Sequence, residues 1–130
     1  MKVFVYGSLM KGMGNEHFLS ADRFVCEAVT QEEFRMVSFK YFPGIFRCEE
    51  GSPVVGEVYE VSPGTLAELD RLESNGTFYK RELVEIETKG DEPFATTAWI
   101  YILINNLPGS EIVPDSDWKN FYKRANSCAS

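Results

Sequence analysis

The chain is 130 residues long, a length that suits one compact domain over 1–130 and leaves little room for a second core. Apolar residues at 44%, aromatics at 14% and charges at 25% describe a globular protein and exclude a disordered one. With 20 Asp and Glu against 13 Lys and Arg, the net charge of −7 gives no basic footprint for nucleic acid or an anionic membrane.

Lys2 to Tyr6 is a short apolar, β-branched and aromatic run that stops at Gly7, as a buried strand entering a loop does. Gly7, Gly12 and Gly14 punctuate the next stretch, and a short helix is predicted from about Asn15 to Arg23. Strands are predicted at Val25–Thr30, Phe34–Ser38, Ile45–Cys48 and Val54–Val61, with turns at Pro43-Gly44 and Gly51 to Pro53. Ser62 and Pro63 open the clearest helix, as N-cap and first helical residue. It is expected to run to about Glu73 and to stop at Ser74-Asn75-Gly76, with Gly76 suited to a left-handed position. Two long strands, Tyr79–Glu87 and Ala95–Ile104, precede a final helix from Asp117 to Arg124 that puts Trp118, Phe121 and Tyr122 on one side. Many strands and few short helices indicate an α+β domain, a small mixed, strongly curved β-barrel with flanking short helices.

One carboxylate stands out. Leu66, Leu69 and Leu72 define the apolar face of the central helix, and at about 100° per residue Glu73 falls only about 40° from its centre. Glu68 and Asp70 fall about 100° away, as solvated acids should. Glu73 also sits in the last turn, where the macrodipole disfavours a negative charge. Burial and dipole together raise a carboxyl pKa toward the range useful for proton transfer. If the helix frays earlier, Glu73 simply points to water.

The loop Val5 to Leu9 has its own logic. A strand that ends in glycine turns sharply and lets a ligand approach, so successive N–H groups of Gly7, Ser8 and Leu9 can face a carboxylate or an oxyanion. A plain tight turn is the alternative, and neither phosphate-loop pattern is present. His17 reads as a helix-surface or packing residue, and the serines lack a G-x-S-x-G setting. Trp99 and Tyr101 belong to an apolar strand, where a buried Tyr101 hydroxyl needs a partner. Cys26, Cys48 and Cys128 are odd in number, widely spaced and without a C-x-x-C pair, so reduced thiols in a cytoplasmic protein are expected. The N-terminal MKVFVYGSL has no long apolar region, so neither a signal peptide nor a membrane span is predicted.

In this order and spacing, VFVYGSLMKGMGNEHFL (Val3 to Leu19), VVGEVYEV (Val54 to Val61) and LAELDRLESNGTFYKREL (Leu66 to Leu83) resemble the γ-glutamylcyclotransferase family, in particular its γ-glutamylamine cyclotransferase branch and short bacterial relatives. The resemblance covers most of residues 1–104, with a looser match at DWKNFY near the C-terminus. It implies a small mixed barrel and a cofactor-free, metal-free reaction that turns a γ-glutamyl amine or amino acid into 5-oxoproline and a free amine. By the same resemblance, Tyr6, Gly7, Ser8 and Leu9 hold the γ-glutamyl group, and Glu73 is the general acid and base. Tyr79, Arg81 and Tyr101 also correspond to substrate-binding positions. The segment Tyr41 to Arg47, with its Pro43-Gly44 turn, matches the family poorly and is read as a wall of the leaving-group pocket. Ser74 stands where many members have Gly, and Ser8 where Thr is common. The expected partner is a small γ-glutamyl substrate, met by a monomer or weak homodimer. Two other readings are a non-catalytic metabolite-binding module on the same fold, and a hydrolytic or acyl-transfer enzyme that yields glutamate.

Overall fold

The computed structural model describes residues 1–105 and 111–127. Its strands are β1 (Lys2–Val5), β2 (Arg23–Ser38), β3 (Pro43–Arg47), β4 (Ser52–Glu60), β5 (Tyr79–Thr88), β6 (Ala95–Leu103) and β7 (Glu111–Val113), and its α-helices are α1 (Pro63–Leu72) and α2 (Trp118–Ser127). Five strands close a barrel: β2 pairs with β4, β4 with β1, β1 with β6, β6 with β5, and β5 returns to β2. The β1–β6 pair is parallel, through Val3 opposite Trp99, and the other pairs are antiparallel. The fold is thus the small mixed α+β barrel with flanking helices that the sequence predicts.

The two strands expected at Val25–Thr30 and Phe34–Ser38 are one strand of 16 residues. The polar triplet Gln31 to Glu33 that seemed to separate them is exposed, and the β2–β4 register shifts between Val29 and Glu33. Such an irregularity absorbs the extra residues at the surface and bends the strand. The buried Thr30 hydroxyl bridges the bend, accepting from the Val54 N–H (2.8 Å) and donating to the Glu32 carbonyl (2.7 Å). Before the bend, β2 lies between β4 and β5; beyond it, β2 pairs with β3 and β7.

Three other expectations are corrected. Pro43-Gly44 is not a turn but the buried start of β3, where a Cβ on Gly44 would meet Leu103 at 2.5 Å. The helix expected over Asn15–Arg23 is only a 3-10 turn, Glu16–Leu19, because Asn15 gives no side-chain cap and spends its amide on Ser8 instead. The short strand β7 has no counterpart among the predicted elements. Phe4, Phe34, Ile45, Leu69, Ile86, Ile100 and Trp118 are fully buried in the core, and Trp118 seats α2 with the Phe121 and Tyr122 rings beside it. Cys26 and Cys48 are free thiols, and Cys128 lies outside the described residues. Among the described residues, no helix is long and apolar enough to cross a membrane.

Candidate active site

The helix α1 starts as its sequence dictates. Ser62 Oγ accepts the Thr65 N–H at 3.1 Å and Pro63 takes the first helical position, while Leu66 and Leu69 bury themselves in the core. Its end comes one residue earlier than expected. Leu72 is the last helical residue, Glu73 is the C-cap with φ −88° and ψ 0°, and Ser74 takes the left-handed conformation at φ 50°. Glu73 nevertheless stays anchored, since its N–H donates to the Leu69 carbonyl at 2.9 Å. Leu72, counted with the apolar face, passes the edge of the core and is 39% exposed.

The first loop is held on three sides. A Cβ on Gly7 would lie 2.7 Å from Pro43 Cδ, so only glycine lets this backbone pack against β3. The Met10 N–H closes a turn onto the Gly7 carbonyl (3.1 Å), and Asn15 clamps Ser8 through N–H to carbonyl (2.8 Å) and Nδ2 to Oγ (2.9 Å). Further on, the buried Glu57 accepts the Lys11 N–H (2.9 Å), the Tyr59 hydroxyl (3.2 Å) and Lys119 Nζ (3.3 Å). The N–H groups of Gly7, Ser8 and Leu9 donate to no acceptor among the described residues. They remain available to a ligand.

These two pieces meet across a cavity of about 410 Å³. Tyr6 to Leu9 and Asn15 line one side, Glu73, Tyr79 and Tyr101 come from the helix end and the barrel, and Tyr41, Phe42, Leu72 and Phe78 also line it. Burial pushes the Glu73 carboxyl up from 4.5 to about 7. Its carboxylate accepts no hydrogen bond and pairs with no cation among the described residues. The tyrosine hydroxyls are raised too, first by burial and then, in part, by the Glu73 charge. All three already donate to protein acceptors: Tyr6 to the Tyr101 carbonyl (2.6 Å), Tyr79 to the Pro43 carbonyl (2.7 Å) and Tyr101 to Asp70 Oδ1 (2.7 Å). They shape the wall, and the uncommitted backbone donors facing it are the loop N–H groups.

Of the residues singled out from sequence, Glu73, Tyr6, Gly7, Ser8, Leu9, Tyr79 and Tyr101 come together at this cavity. Arg81 does not line it. Its guanidinium is turned to Asp70, with Nε to Oδ1 at 2.9 Å, and stacks over the Trp99 ring at 4.2 Å. Asp70, expected to be a solvated acid, is therefore half-buried and paired, a correction that follows from β5 and β6 setting Arg81 opposite Tyr101 beside it. Sequence reasoning also passed over Asn15 as a wall residue and Glu57 as an anchor. The signal for Glu57 was an acid inside the apolar run Val54 to Val61. Among the described residues, no cluster of His, Cys, Asp and Glu is arranged to hold a metal ion. A half-buried carboxyl pushed up to about 7 beside free N–H donors is suited to moving a proton while an anionic group is held.

Residues 3–120 match the family described as "Gamma-glutamyl cyclotransferase, AIG2-like". Over 118 residues the chain is 30% identical to the gamma-glutamylcyclotransferase family protein YtfP of Escherichia coli strain K12, covering 91% of this chain and 96% of that one. The solution structure of ytfP from Escherichia coli has a TM-score of 0.66 to this fold over 91% of this chain and 96% of that chain, at 30% identity. An aig2-like protein from Mus musculus shares the fold at a TM-score of 0.79, covering 90% of this chain and 86% of its own, with 23% identity.

Proposed function

Since the chain belongs to the gamma-glutamyl cyclotransferase, AIG2-like family and so to enzymes of the cyclotransferase kind, we propose that it cyclises a γ-glutamyl amide to 5-oxoproline and releases the amine, with Glu73 as acid and base. One observation carries this reading: an unpaired, half-buried Glu73 carboxyl, pushed up to about 7 by burial, shares a cavity with the unbonded N–H groups of Gly7 to Leu9. The α-amine of a γ-glutamyl group is an ammonium near neutral pH and is inert until a base removes a proton. Glu73 takes that proton, and the freed nitrogen attacks the γ-carbonyl carbon. The new C–N bond closes the five-membered ring as the old amide C–N bond breaks. In all, the attacking nitrogen gives up two protons and the departing nitrogen gains two, leaving as an ammonium with Glu73 restored.

A carboxyl with a pKa near the working pH serves in both directions. The loop N–H groups supply donors for the substrate carboxylate or for the oxyanion of the tetrahedral intermediate. Closing a flexible chain onto itself is an entropic task that a shaped cavity performs in advance.

The test is release of 5-oxoproline, read by mass spectrometry, from a panel of γ-glutamyl amino acids and γ-glutamyl amines. Glu73→Gln is expected to lower turnover by at least about a hundredfold. Turnover that survives this substitution overturns the assigned role. Glutamate as the product points to hydrolysis, and 5-oxoproline binding without turnover of any substrate points to a binding module.

A further inference from the structure

We propose that Glu57 is a positioning residue for the reaction: its buried carboxylate ties the chain leaving the first loop, at Lys11, to strand β4 and helix α2. The proposal rests on the cyclotransferase reading and adds to it what keeps the Gly7 to Leu9 N–H groups in place.

Backbone donors stabilise a developing charge best when they are already in place, because a loop that must reorganise gives the benefit back. Gly7 to Asn15 contains no helix or strand of its own, so its shape depends on its ties. Gly7 packs on Pro43 and Asn15 holds Ser8, which leaves the stretch beyond Leu9. There the Lys11 N–H donates to Glu57 Oε1 at 2.9 Å, and the Lys11 ammonium lies 3.5 Å from the Phe24 ring centroid. The β1–β4 register sets Glu57 opposite Val5, which lines the cavity, and a Cβ on Gly56 would collide with the Val5 carbonyl. Glu57 itself does not line the cavity and acts through the loop.

Stability alone does not account for this carboxylate. Only 5% of Glu57 is exposed, and its cationic partner, Lys119 on α2, keeps 28% of its side chain exposed. A buried ion pair recovers little more than its desolvation cost, and an apolar pair of similar volume holds a fold as well. Apolar side chains cannot accept hydrogen bonds, however. Both Glu57 oxygens are engaged: Oε1 by the Lys11 N–H and the Tyr59 hydroxyl, Oε2 by Lys119 Nζ. Tyr59 packs edge-on against Phe24 at 5.5 Å, so the ring under Lys11 and the acceptor of its N–H belong to one assembly.

The experiment compares two variants by kcat/KM for 5-oxoproline release, thermal unfolding and amide hydrogen exchange. Glu57→Gln keeps an oxygen for the Lys11 N–H but turns an amide toward Lys119. Glu57→Met combined with Lys119→Met removes both charges and the acceptor. With Glu57 holding the loop, kcat/KM stays within about tenfold of wild type in Glu57→Gln. The double variant unfolds at about the wild-type temperature, yet its kcat/KM falls about a hundredfold. Its Met10 and Asn15 amides, bonded within the loop, exchange at least about tenfold faster, while those of β5 and β6 are unchanged. A purely structural ion pair gives the reverse order, with Glu57→Gln the worse because Lys119 is left unpaired. That order, or a double variant with wild-type turnover, overturns the proposal. So do loop amides that exchange at the wild-type rate. Should the double variant not fold, Glu57→Asp replaces it, with the charge kept and the reach lost: loop exchange faster than in Glu57→Gln supports the proposal, and equal or slower exchange overturns it. If the wild type turns over no γ-glutamyl amide, the cyclotransferase reading fails by itself, and loop exchange alone decides whether Glu57 holds the loop.

Discussion

Replacing Glu73 by glutamine should stabilise the protein, and by an amount that depends on pH in a defined way. Burial lifts the Glu73 carboxyl from 4.5 to about 7. Each tenfold change in proton affinity is worth about 1.4 kcal/mol, so carrying the ionised carboxylate in the folded chain costs on the order of 3 kcal/mol above neutrality. Between those two values the folded state holds the proton more tightly than the unfolded chain does. Wild-type stability therefore falls as pH rises through that window and levels off above about pH 7.

Glutamine has nearly the same shape and does not ionise. Glu73→Gln is thus expected to exceed wild type by about 1 kcal/mol at about pH 5 and by about 3 kcal/mol at about pH 8. Urea titrations of both proteins across this range, followed by tryptophan fluorescence, measure the difference, which corresponds to roughly 10 °C in Tm at its largest. A stability difference that stays constant with pH, or a wild type that gains on the variant as pH rises, would show that burial does not hold the proton on Glu73. Either result means that the carboxylate is solvated or paired.

The same titration should appear in catalysis: kcat/KM for 5-oxoproline release is expected to rise with pH, to reach half its maximum near pH 7 and to level off above it, as Glu73 becomes the free base. A profile flat through this range separates Glu73 from the rate. Gly7→Ala sets a Cβ 2.7 Å from Pro43 Cδ and should cost about 1–3 kcal/mol in chemical denaturation while lowering kcat/KM by displacing the loop. Ser74→Gly relieves a non-glycine residue at φ 50° and is expected to raise stability by up to about 1 kcal/mol in the same assay.

Local chemistry made much of the fold legible. The Ser62-Pro63 cap, the strand ending at Gly7 and the apolar runs of β5 and β6 are each set by residues within a few positions of one another. What was not legible depends on partners distant in sequence. The exposed triplet Gln31 to Glu33 reads as a loop until β4 is set beside it, because only the register shift keeps one strand continuous through polar residues. Pro43-Gly44 reads as a turn until Leu103 fills the space a Gly44 side chain would need and the Pro43 ring fills the space beside Gly7. The short Asn15 helix fails because the residue expected to cap it is drawn to Ser8.

Asp70 and Glu73 show the same division at the site, and the contrast yields a further test. On the helical wheel one is a solvated flank residue and the other a misplaced acid, yet both are half-buried in the folded chain. The difference lies in what the barrel supplies. Arg81 and Tyr101, paired across β5 and β6, deliver three hydrogen bonds to Asp70 and none to Glu73. Asp70 and Arg81 cancel each other's charge, which leaves burial as the cause of the raised Glu73 proton affinity. Asp70→Asn removes the anion and keeps the guanidinium. The uncompensated cation favours ionised Glu73, so the pH at which Glu73→Gln gains half its stability advantage, measured in the Asp70→Asn background, should move down. A general loss of stability shifts every point equally and does not move that midpoint. A midpoint that stays midway between 4.5 and about 7, or moves up, would show that Asp70 and Arg81 act only as a structural clasp, with no hold on the proton at Glu73.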